Sequence, residues 1–333
     1  MTLAFTICSV NYLAQARTLG DSLKQTNPDW QFVIGLVDDL EAANLPADLL
    51  PAYPMLEVAT IGIPDFAGMC SRYNITELNT AVKPFFIDYF FNSGRGTARP
   101  EAVIYFDPDI IVFQPLTKLS ESLKTNSLVV TPHTIAPTPD WKMPNEQDHL
   151  NTGIFNLGFI GLRNDATARQ FVGWWKQRLT YECRLDLCEG LFVDQHWVNF
   201  APIYYDNVFI EKHKGYNVAY WNIHERILLN QNGNWYVQSP EGGTPVLLQF
   251  FHYSGYGVQK PDEISKYQNR YTFDQRPDVV LLFQLYHNQL IKNGNNNYRT
   301  YPCVYIKPTQ VLYYTSIRRL LNVPIQKLTQ WIG

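Results

Sequence analysis

The sequence predicts an α/β fold in which helices flank a mostly parallel, twisted central sheet. Residues 3–8 and 31–37 form short apolar runs typical of buried strands, and a helical pattern lies between them. Parallel neighbours need a crossover of this kind, and such crossovers are almost always right-handed. A further buried run, 102–106, leads directly into two carboxylates. These observations place an α/β sheet at the start of the chain, with polar side chains at one of its edges.

The first helix is predicted from Leu13 to about Asn27, because Leu13, Leu19 and Leu23 share one helical face. Asn74 and Glu77 have the spacing of a capping box and should open another helix. Pro84 then either kinks that helix or starts a second one. The second outcome would place Lys83 at a helix N-terminus.

The next strands are predicted at 127–131 and at 246–251, the latter ending at His252. Between them, Asn164 or Asp165 should cap a helix that runs to about residue 181. Residues 132–151 carry four prolines and no sustained periodicity. We interpret them as a long ordered loop or lid, and loops of this length are usually functional. From about residue 261 the pattern becomes helical.

The composition excludes several classes of protein. The chain has 333 residues, 46% of them hydrophobic, and a net charge of −3, so no basic field indicates a nucleic-acid partner. No apolar run approaches the roughly 20 residues of a spanning helix, and the N-terminus lacks the basic region of a signal peptide. The five cysteines include no C-x-x-C pair, which predicts reduced thiols and a cytoplasmic location. A bridge or metal site at Cys183 and Cys188 is a minor alternative.

The stretch AVIYFDPDIIVF at 102–113 carries most of the functional information. Asp107 and Asp109 point the same way because strand geometry alternates with period two, and Pro108 stiffens the turn between them. Paired carboxylates suit Mg²⁺ or Mn²⁺, cations that also bind a substrate diphosphate. A simple polar strand end is the alternative, since Asp and Pro are common turn residues.

Three further segments accompany this pair. His252 ends a strand, and in an open α/β sheet such ends converge on one crevice, so it could complete a metal site with Asp107 and Asp109. Asn156 offers a fixed amide near Gly158, where a ligand hydroxyl can approach the backbone. Asp194 and Gln195 are adjacent polar residues on a predicted helix, although an amphipathic helix edge explains them equally well.

In this order, the segments resemble the GT-A nucleotide-sugar glycosyltransferases, most closely glycosyltransferase family 8 (glycogenin and the bacterial lipooligosaccharide galactosyltransferases). The family pattern YLDADIIV appears as YFDPDIIV, FNxGxxLxN appears with one extra residue as FNLGFIGLRN, and DQD appears as DQH. The family's HFxGxxKPW appears as HYSGYGVQKP, which places Lys260 two positions late, and Lys83 stands where Arg is usual. The resemblance covers roughly residues 1–265.

The resemblance implies a GT-A catalytic domain at 1–265, with a nucleotide-binding half at 1–125 and an acceptor half at 126–265. A helical extension at 266–333 would pack on it. The donor would be a UDP-sugar held with Mn²⁺ or Mg²⁺, and the acceptor an oligosaccharide, glycolipid or glycoprotein. The metal ligands would be Asp107, Asp109 and His252. The nucleotide sugar would contact a wider set, which is Ser9, Asn11, Tyr12, Asp38 or its neighbour Asp39, Lys83, Asn156 and Lys260.

The resemblance also implies the course of the reaction. Asp194 would position sugar hydroxyls, and Gln195 would lie beneath the anomeric carbon. An amide cannot act as a general base, so hexose transfer with retention of configuration is expected. His196 or His149 acting as base would reverse that expectation. The segment from Val311, with Arg318, Arg319 and Lys327, could rest on a membrane that carries a lipid-linked acceptor. A helix packed on its own domain is the favoured interpretation, because the basic residues are few.

Two other functions remain open from sequence. A sugar-1-phosphate nucleotidyltransferase would share the carboxylates and the sheet, but the turn SVNYLAQA lacks the Gly- and Arg-rich phosphate loop of that class. A non-catalytic nucleotide-sugar or carbohydrate-binding module would bind UDP without transfer or donor hydrolysis. A glycosidase that uses Asp107 and Asp109 is disfavoured, since paired glycosidase carboxylates face each other across ~5–9 Å and neighbours on one turn do not easily flank a glycosidic bond.

Overall fold

A computed structural model describes residues 1–93 and 99–306. The strands are β1 (Thr2–Cys8), β2 (Gln31–Leu36), β3 (Met55–Glu57), β4 (Ala102–Phe106), β5 (Ile110–Val112), β6 (Leu128–Pro132), β7 (Phe155–Arg163), β8 (Leu185–Asp186), β9 (Leu191–Phe192), β10 (Val208–Ile210), β11 (Ile227–Gln231), β12 (Asn234–Ser239), β13 (Gly242–Leu247) and β14 (Phe250–His252). The α-helices are α1 (Leu13–Thr26), α2 (Leu40–Ala43), α3 (Phe66–Arg72), α4 (Ile75–Ala81), α5 (Lys83–Asn92), α6 (Thr117–Thr125), α7 (Glu146–Thr152), α8 (Ala166–Tyr181), α9 (Gln195–Val198), α10 (Ala201–Tyr204), α11 (Pro277–Lys292) and α12 (Asn295–Tyr298).

Seven strands form the central sheet in the order β10-β6-β7-β4-β1-β2-β3. Strand β7 runs antiparallel to both of its neighbours, and every other pairing in the sheet is parallel. The predicted α/β class with a mostly parallel sheet is therefore confirmed. Two small sheets accompany it, β11-β12-β13 and the pair β14-β5, together with the short hairpin β8-β9.

Both faces of the sheet are covered, as the apolar character of its strands requires. On β1, Phe5 packs on one face against Phe90 of α5, with ring centroids 5.1 Å apart. Ala4 points to the other face, where it joins Leu19 and Leu23 of α1. The alternation of side chains along β1 thus builds two separate layers of core.

Local sequence signals locate most elements correctly. The predicted strands at 3–8, 31–37 and 102–106 correspond to β1, β2 and β4, and the capping box of Asn74 and Glu77 opens α4. Asp165 caps α8, its side chain accepting from the N–H of Ala168. Of the two outcomes left open at Pro84, the structure has the second: α5 begins at Lys83, with proline in its first turn.

Two expectations need correction. The apolar run 246–251 is not one strand, because it belongs to two elements: β13 ends at Leu247, and β14 begins at Phe250 and pairs with β5. The Pro-rich segment 132–151 is ordered, as expected, but it also contains the start of a helix. Asn145 forms a capping box with Asp148 there and opens α7. A seven-residue helix has too few turns to show in periodicity.

The helical pattern expected from about residue 261 begins later, because the first helix of this region is α11, which starts at Pro277. It packs against α1 and β11, and α12 follows it closely. The predicted domain boundaries remain a prediction. The segment from Val311, predicted either to pack on the domain or to rest on a membrane, lies outside the described residues. No helix within 1–93 and 99–306 is both long and apolar enough to cross a membrane.

Candidate active site

The two carboxylates lie in the turn that joins the end of β4 to the start of β5. The backbone N–H of Asp107 donates to the carbonyl of Gly158 at 2.7 Å, which anchors the turn to the neighbouring strand β7. Because β4 ends at Phe106, both acids stand at the carboxyl edge of the sheet, where ligands of open α/β folds bind.

His252 reaches the same place through the short pairing of β14 with β5. In that register His252 lies opposite Ile110, and the N–H of Tyr253 donates to the carbonyl of Asp109 at 2.8 Å. Nε2 of His252 lies 3.0 Å from Oδ1 of Asp109 and 3.7 Å from Oδ2 of Asp107. One ligand atom from each of the three residues lies within 4.8 Å of the others.

Asp107, Asp109 and His252 form a triad in which charge and burial shift the pKa values of Asp107 and His252. Burial lowers the pKa of His252, but the carboxylates of Asp109 and Asp107 together outweigh this effect and leave the pKa above its usual value. Burial raises the pKa of Asp107, against the opposing influence of the Lys83 ammonium. A divalent cation among these groups would offset the negative charge of both acids.

The donor set fits such a cation. Two carboxylates and an imidazole are compatible with Mn²⁺. The two carboxylates, without the imidazole, are oxygen ligands of the kind that Mg²⁺ prefers. The ligand atoms of all three residues lie within 4.8 Å of one another, so the three side chains offer one cation a shared place to bind.

Asn156 orients His252 by a hydrogen bond to Nδ1, the ring nitrogen that does not face the carboxylates. Its Oδ1 accepts from Nδ1 of His252 at 3.3 Å, and this bond leaves Nε2 as the ring atom that faces the carboxylates. The same oxygen accepts from Asn217 at 3.0 Å and from the N–H of Gly158 at 3.2 Å. Its Nδ2 donates to His133 at 3.4 Å. Asn156, which is predicted to contact ligand hydroxyls, thus also holds the imidazole.

Lys83 and Asp194 form a fully buried ion pair, with side chains 1% and 3% exposed. Nζ of Lys83 also donates to the carbonyl of Leu157 at 2.8 Å and lies 4.1 Å from the ring centroid of Tyr105. Burial raises the pKa of Asp194, and the charge of Lys83 opposes that rise. The predicted ligand-binding residues Lys83 and Asp194 are thus in contact with each other.

Gln195 follows Asp194 at the start of α9. Its Nε2 donates to the carbonyl of Thr152 at 2.7 Å, and its Oε1 accepts from the N–H of Leu157 at 3.4 Å. Gly153, at φ +119°, allows this approach, because a Cβ there would lie 3.1 Å from Cγ of Gln195. The amide is therefore fixed between α7 and β7.

The predicted nucleobase turn follows β1. Ser9 is buried and accepts from Nδ2 of Asn79 at 3.2 Å. Oδ1 of Asn11 is buried without a hydrogen-bond partner among the described residues, and Tyr12 exposes 45% of its surface. An unpartnered amide oxygen and an exposed ring are groups that a base could contact.

Asp38 is one of the residues predicted to contact the nucleotide sugar. It is fully buried, and its carboxylate accepts from the N–H groups of Val10 at 3.1 Å, Asp39 at 3.2 Å and Val304 at 2.9 Å. Burial raises the pKa of Asp38, and these N–H groups oppose the rise. Asp38 thus braces the turn that follows β1. Its neighbour Asp39 caps α2.

The remaining residues named in the sequence analysis contact groups other than the triad. Lys260 is exposed and pairs with Glu263 at 2.9 Å. The ring of His196 bonds to the carbonyl of Gly190 at 2.8 Å. His149 is buried and stacks on His133, with ring centroids 4.7 Å apart.

Sequence reasoning did not identify three residues around the triad. Tyr105 donates to Asp107, Trp221 packs edge-on against His252 with ring centroids 5.1 Å apart, and Asn217 supports Asn156. Only Tyr105 carried a detectable signal. It lies two residues before Asp107 in the same strand, where period two places both side chains on one side.

Comparisons with known proteins find distant similarity. No protein-family model matches the chain. It is 25% identical over 291 residues to uncharacterized protein YfnF of Bacillus subtilis (strain 168), which covers 87% of this chain and 92% of YfnF. It is 28% identical over 167 residues to uncharacterized protein YfnD of the same organism, half of each chain.

Among solved structures, the chain is similar to the galactosyltransferase LgtC in complex with donor and acceptor sugar analogues. Sequence identity is 16%, the coverage is 88% of this chain and 96% of LgtC, and the TM-score is 0.49. The chain is also similar to the glycosyltransferase GlyE of Streptococcus pneumoniae TIGR4, with 16% identity, coverage of 91% of this chain and 65% of GlyE, and a TM-score of 0.46. Its similarity to the bifunctional glycosyltransferase WbbM has 14% identity, coverage of 89% of this chain and 50% of WbbM, and a TM-score of 0.45. At these values the chemistry has to be inferred from this chain's own residues.

Proposed function

We propose that this chain is a metal-dependent glycosyltransferase that moves a hexose from a UDP-sugar to a glycan, glycolipid or glycoprotein acceptor, with retention of configuration. The observation that carries the proposal is the convergence of Asp107, Asp109 and His252 at the carboxyl edge of the sheet. The motifs around them, in their order along the chain, support the same function.

Asp107, Asp109 and His252 would hold Mn²⁺ or Mg²⁺. The bound cation would bind diphosphate oxygens and stabilise the negative charge that develops as the nucleotide leaves. Three protein ligands leave coordination positions for those oxygens. Ser9, Asn11 and Tyr12 follow β1 at the same edge of the sheet and would contact the base, with the ring of Tyr12 stacking on it.

Lys83, Asp194 and Gln195 would lie on the sugar side. The carboxylate of Asp194 can accept from sugar hydroxyls while it stays paired with Lys83. The fixed amide of Gln195 offers hydrogen bonds but no basicity, so it cannot deprotonate an acceptor. Retention follows if the leaving phosphate takes the acceptor proton on the same face. Lys260 would have to leave Glu263 to reach a diphosphate.

A panel of nucleotide sugars with and without Mn²⁺ tests the proposal, by thermal shift and by slow hydrolysis of the donor. We expect a UDP-sugar to raise the melting temperature only with metal, and one such donor to be hydrolysed. Asp109→Asn should weaken Mn²⁺ binding at least about tenfold, since losing an outer-shell partner alone costs about 10–100-fold. Asp206→Asn, at an exposed acid remote in sequence, is the matched control.

Each other outcome has a definite meaning. If no nucleotide sugar changes the melting temperature, the donor assignment is wrong. If UDP binds with metal but no donor is hydrolysed and no acceptor is glycosylated, the chain is a nucleotide-sugar-binding module. Pyrophosphate release from UTP and a sugar 1-phosphate would instead identify a nucleotidyltransferase.

A further inference from the structure

Tyr105 contacts one of the proposed metal ligands directly. Its hydroxyl donates to Oδ1 of Asp107 at 2.5 Å. The two residues lie on the same side of the chain because they are two positions apart at the end of β4. With Oδ1 engaged in this way, Oδ2 of Asp107 is the oxygen that faces Nε2 of His252, at 3.7 Å.

The other contacts of Tyr105 lie on the sugar side of the site. Nζ of Lys83 lies 4.1 Å from the centroid of its ring, within the range of a cation–π contact. The same ammonium pairs with Asp194. Tyr105 therefore stands between the buried ion pair and the carboxylate of the triad, and touches both.

The ring itself is held firmly. Tyr105 is 2% exposed, and Phe5 packs against its ring at a centroid distance of 5.2 Å with the planes inclined at 62°. A ring clamped in this way presents its hydroxyl in one direction. The carboxylate of Asp107, in contrast, is partly exposed and turns easily about its terminal torsion without that hydrogen bond.

We propose that Tyr105 is a positioning residue for the metal site: its hydroxyl fixes the carboxylate of Asp107 so that one oxygen faces the cation, and its ring links that carboxylate to the Lys83–Asp194 pair. This inference rests on the proposed function, because it requires a cation at the triad. Outer-shell hydrogen bonds to ligating carboxylates orient them, and their loss weakens metal binding by about 10–100-fold.

The test compares Mn²⁺ affinity in three full-length proteins, by calorimetry and by the electron paramagnetic resonance of free Mn²⁺. Tyr105→Phe removes only the hydroxyl and keeps the ring on Lys83. Tyr73→Phe is the matched control, since Tyr73 is also buried and its hydroxyl donates to the carbonyl of Leu179 at 2.8 Å. We expect about 10–100-fold weaker Mn²⁺ binding in Tyr105→Phe and wild-type binding in Tyr73→Phe.

A second measurement separates positioning from a general loss of structure. Urea unfolding in EDTA should show Tyr105→Phe to be at least as stable as Tyr73→Phe, since the first variant loses one hydrogen bond and the second loses two, including the one that Tyr73 accepts from the N–H of Cys183. Equal Mn²⁺ affinity in Tyr105→Phe and wild type would overturn the inference and leave the proposed function standing. Equal weakening in both variants would also overturn it, because the effect would then be general. A wild-type chain that binds neither Mn²⁺ nor Mn²⁺–UDP would refute the proposed function itself.

Discussion

A Cβ atom at Gly158 would lie 2.3 Å from Cε1 of His252, so the imidazole occupies the space that a side chain on β7 would need. The same Cβ would lie 2.7 Å from Nδ1 of His252 and 2.8 Å from Oδ1 of Asn156. Gly158 therefore does more than allow a close approach to the backbone. It permits the position of the histidine on which the proposed metal site depends.

Gly158→Ala should displace the ring of His252 and weaken Mn²⁺ binding by at least about tenfold, which titration calorimetry would measure. Gly173→Ala is the control, because a Cβ at this position of α8 meets nothing within 4 Å. That variant should keep its metal affinity and gain up to about 1 kcal/mol of stability, since alanine is the better helix former. Unchanged Mn²⁺ binding in Gly158→Ala would mean that His252 is not a ligand.

Lys83→Met should lower the free energy of unfolding by about 3–5 kcal/mol, because it leaves Asp194 charged and buried without its partner. The double variant Lys83→Met, Asp194→Leu should be more stable than Lys83→Met alone, since both buried charges are gone. Urea unfolding of wild type, the two single variants and the double variant measures this coupling. Additive losses would show that the two side chains do not act as a pair.

Asp38→Asn should destabilise the protein before any ligand is added. Asparagine keeps one acceptor oxygen, whereas the carboxylate serves three backbone N–H groups, so a loss of about 1–3 kcal/mol is expected. Faster hydrogen exchange at the amide of Val304 would locate the effect. Asp39→Asn should change little, because asparagine caps a helix as well as aspartate does. Wild-type stability with weaker UDP binding in Asp38→Asn would show that Asp38 acts mainly through the predicted ligand contact.

The stacked pair of His133 and His149 should make the folded protein less stable as the pH decreases. Burial lowers the pKa of His133 to about 3 and that of His149 to about 4, whereas both would have a pKa of about 6.5 in the unfolded chain. Between about pH 6.5 and 4 the unfolded state therefore binds more protons, and stability is lost as the pH decreases. Above about pH 7 neither residue makes the free energy of unfolding depend on pH.

The variant His149→Gln isolates one of these contributions. Urea unfolding at pH 7, 6 and 5 should give a slope that is smaller than that of wild type by up to about 1.4 kcal/mol per pH unit below the unfolded pKa. The difference between the two proteins removes the contributions of the other titrating groups. Identical slopes in both proteins would mean that His149 accepts a proton in the folded state.

The prediction from sequence was accurate where the signal is local. Apolar runs located β1, β2 and β4, the Asn74–Glu77 box located the start of α4, and the turn at Asp107 and Asp109 lies where the end of the apolar run places it. It failed at 246–251, because an apolar run does not show where a chain changes sheets. It also missed α7, since one or two turns leave no periodicity.

The roles of single side chains were harder to predict than their presence. Asp38 and Asn156 are both predicted to contact a ligand, and the structure adds that both form hydrogen bonds within the protein, with Val304 and with His252. Lys83 and Asp194 were named separately, and only the fold shows that they pair. A polar residue at a strand end looks the same in sequence whether it holds a substrate or another residue.

The sequence by itself determined the α/β class, the edge of the sheet at which the acids stand and the kind of ligand that those acids suit, since these depend on period, turn residues and ligand chemistry. The tertiary structure alone decided that His252 meets Asp107 and Asp109, that Gly158 makes room for it and that Tyr105 holds Asp107. These contacts join β4, β7 and β14 through packing and strand register. Neither is encoded in any short stretch of the chain.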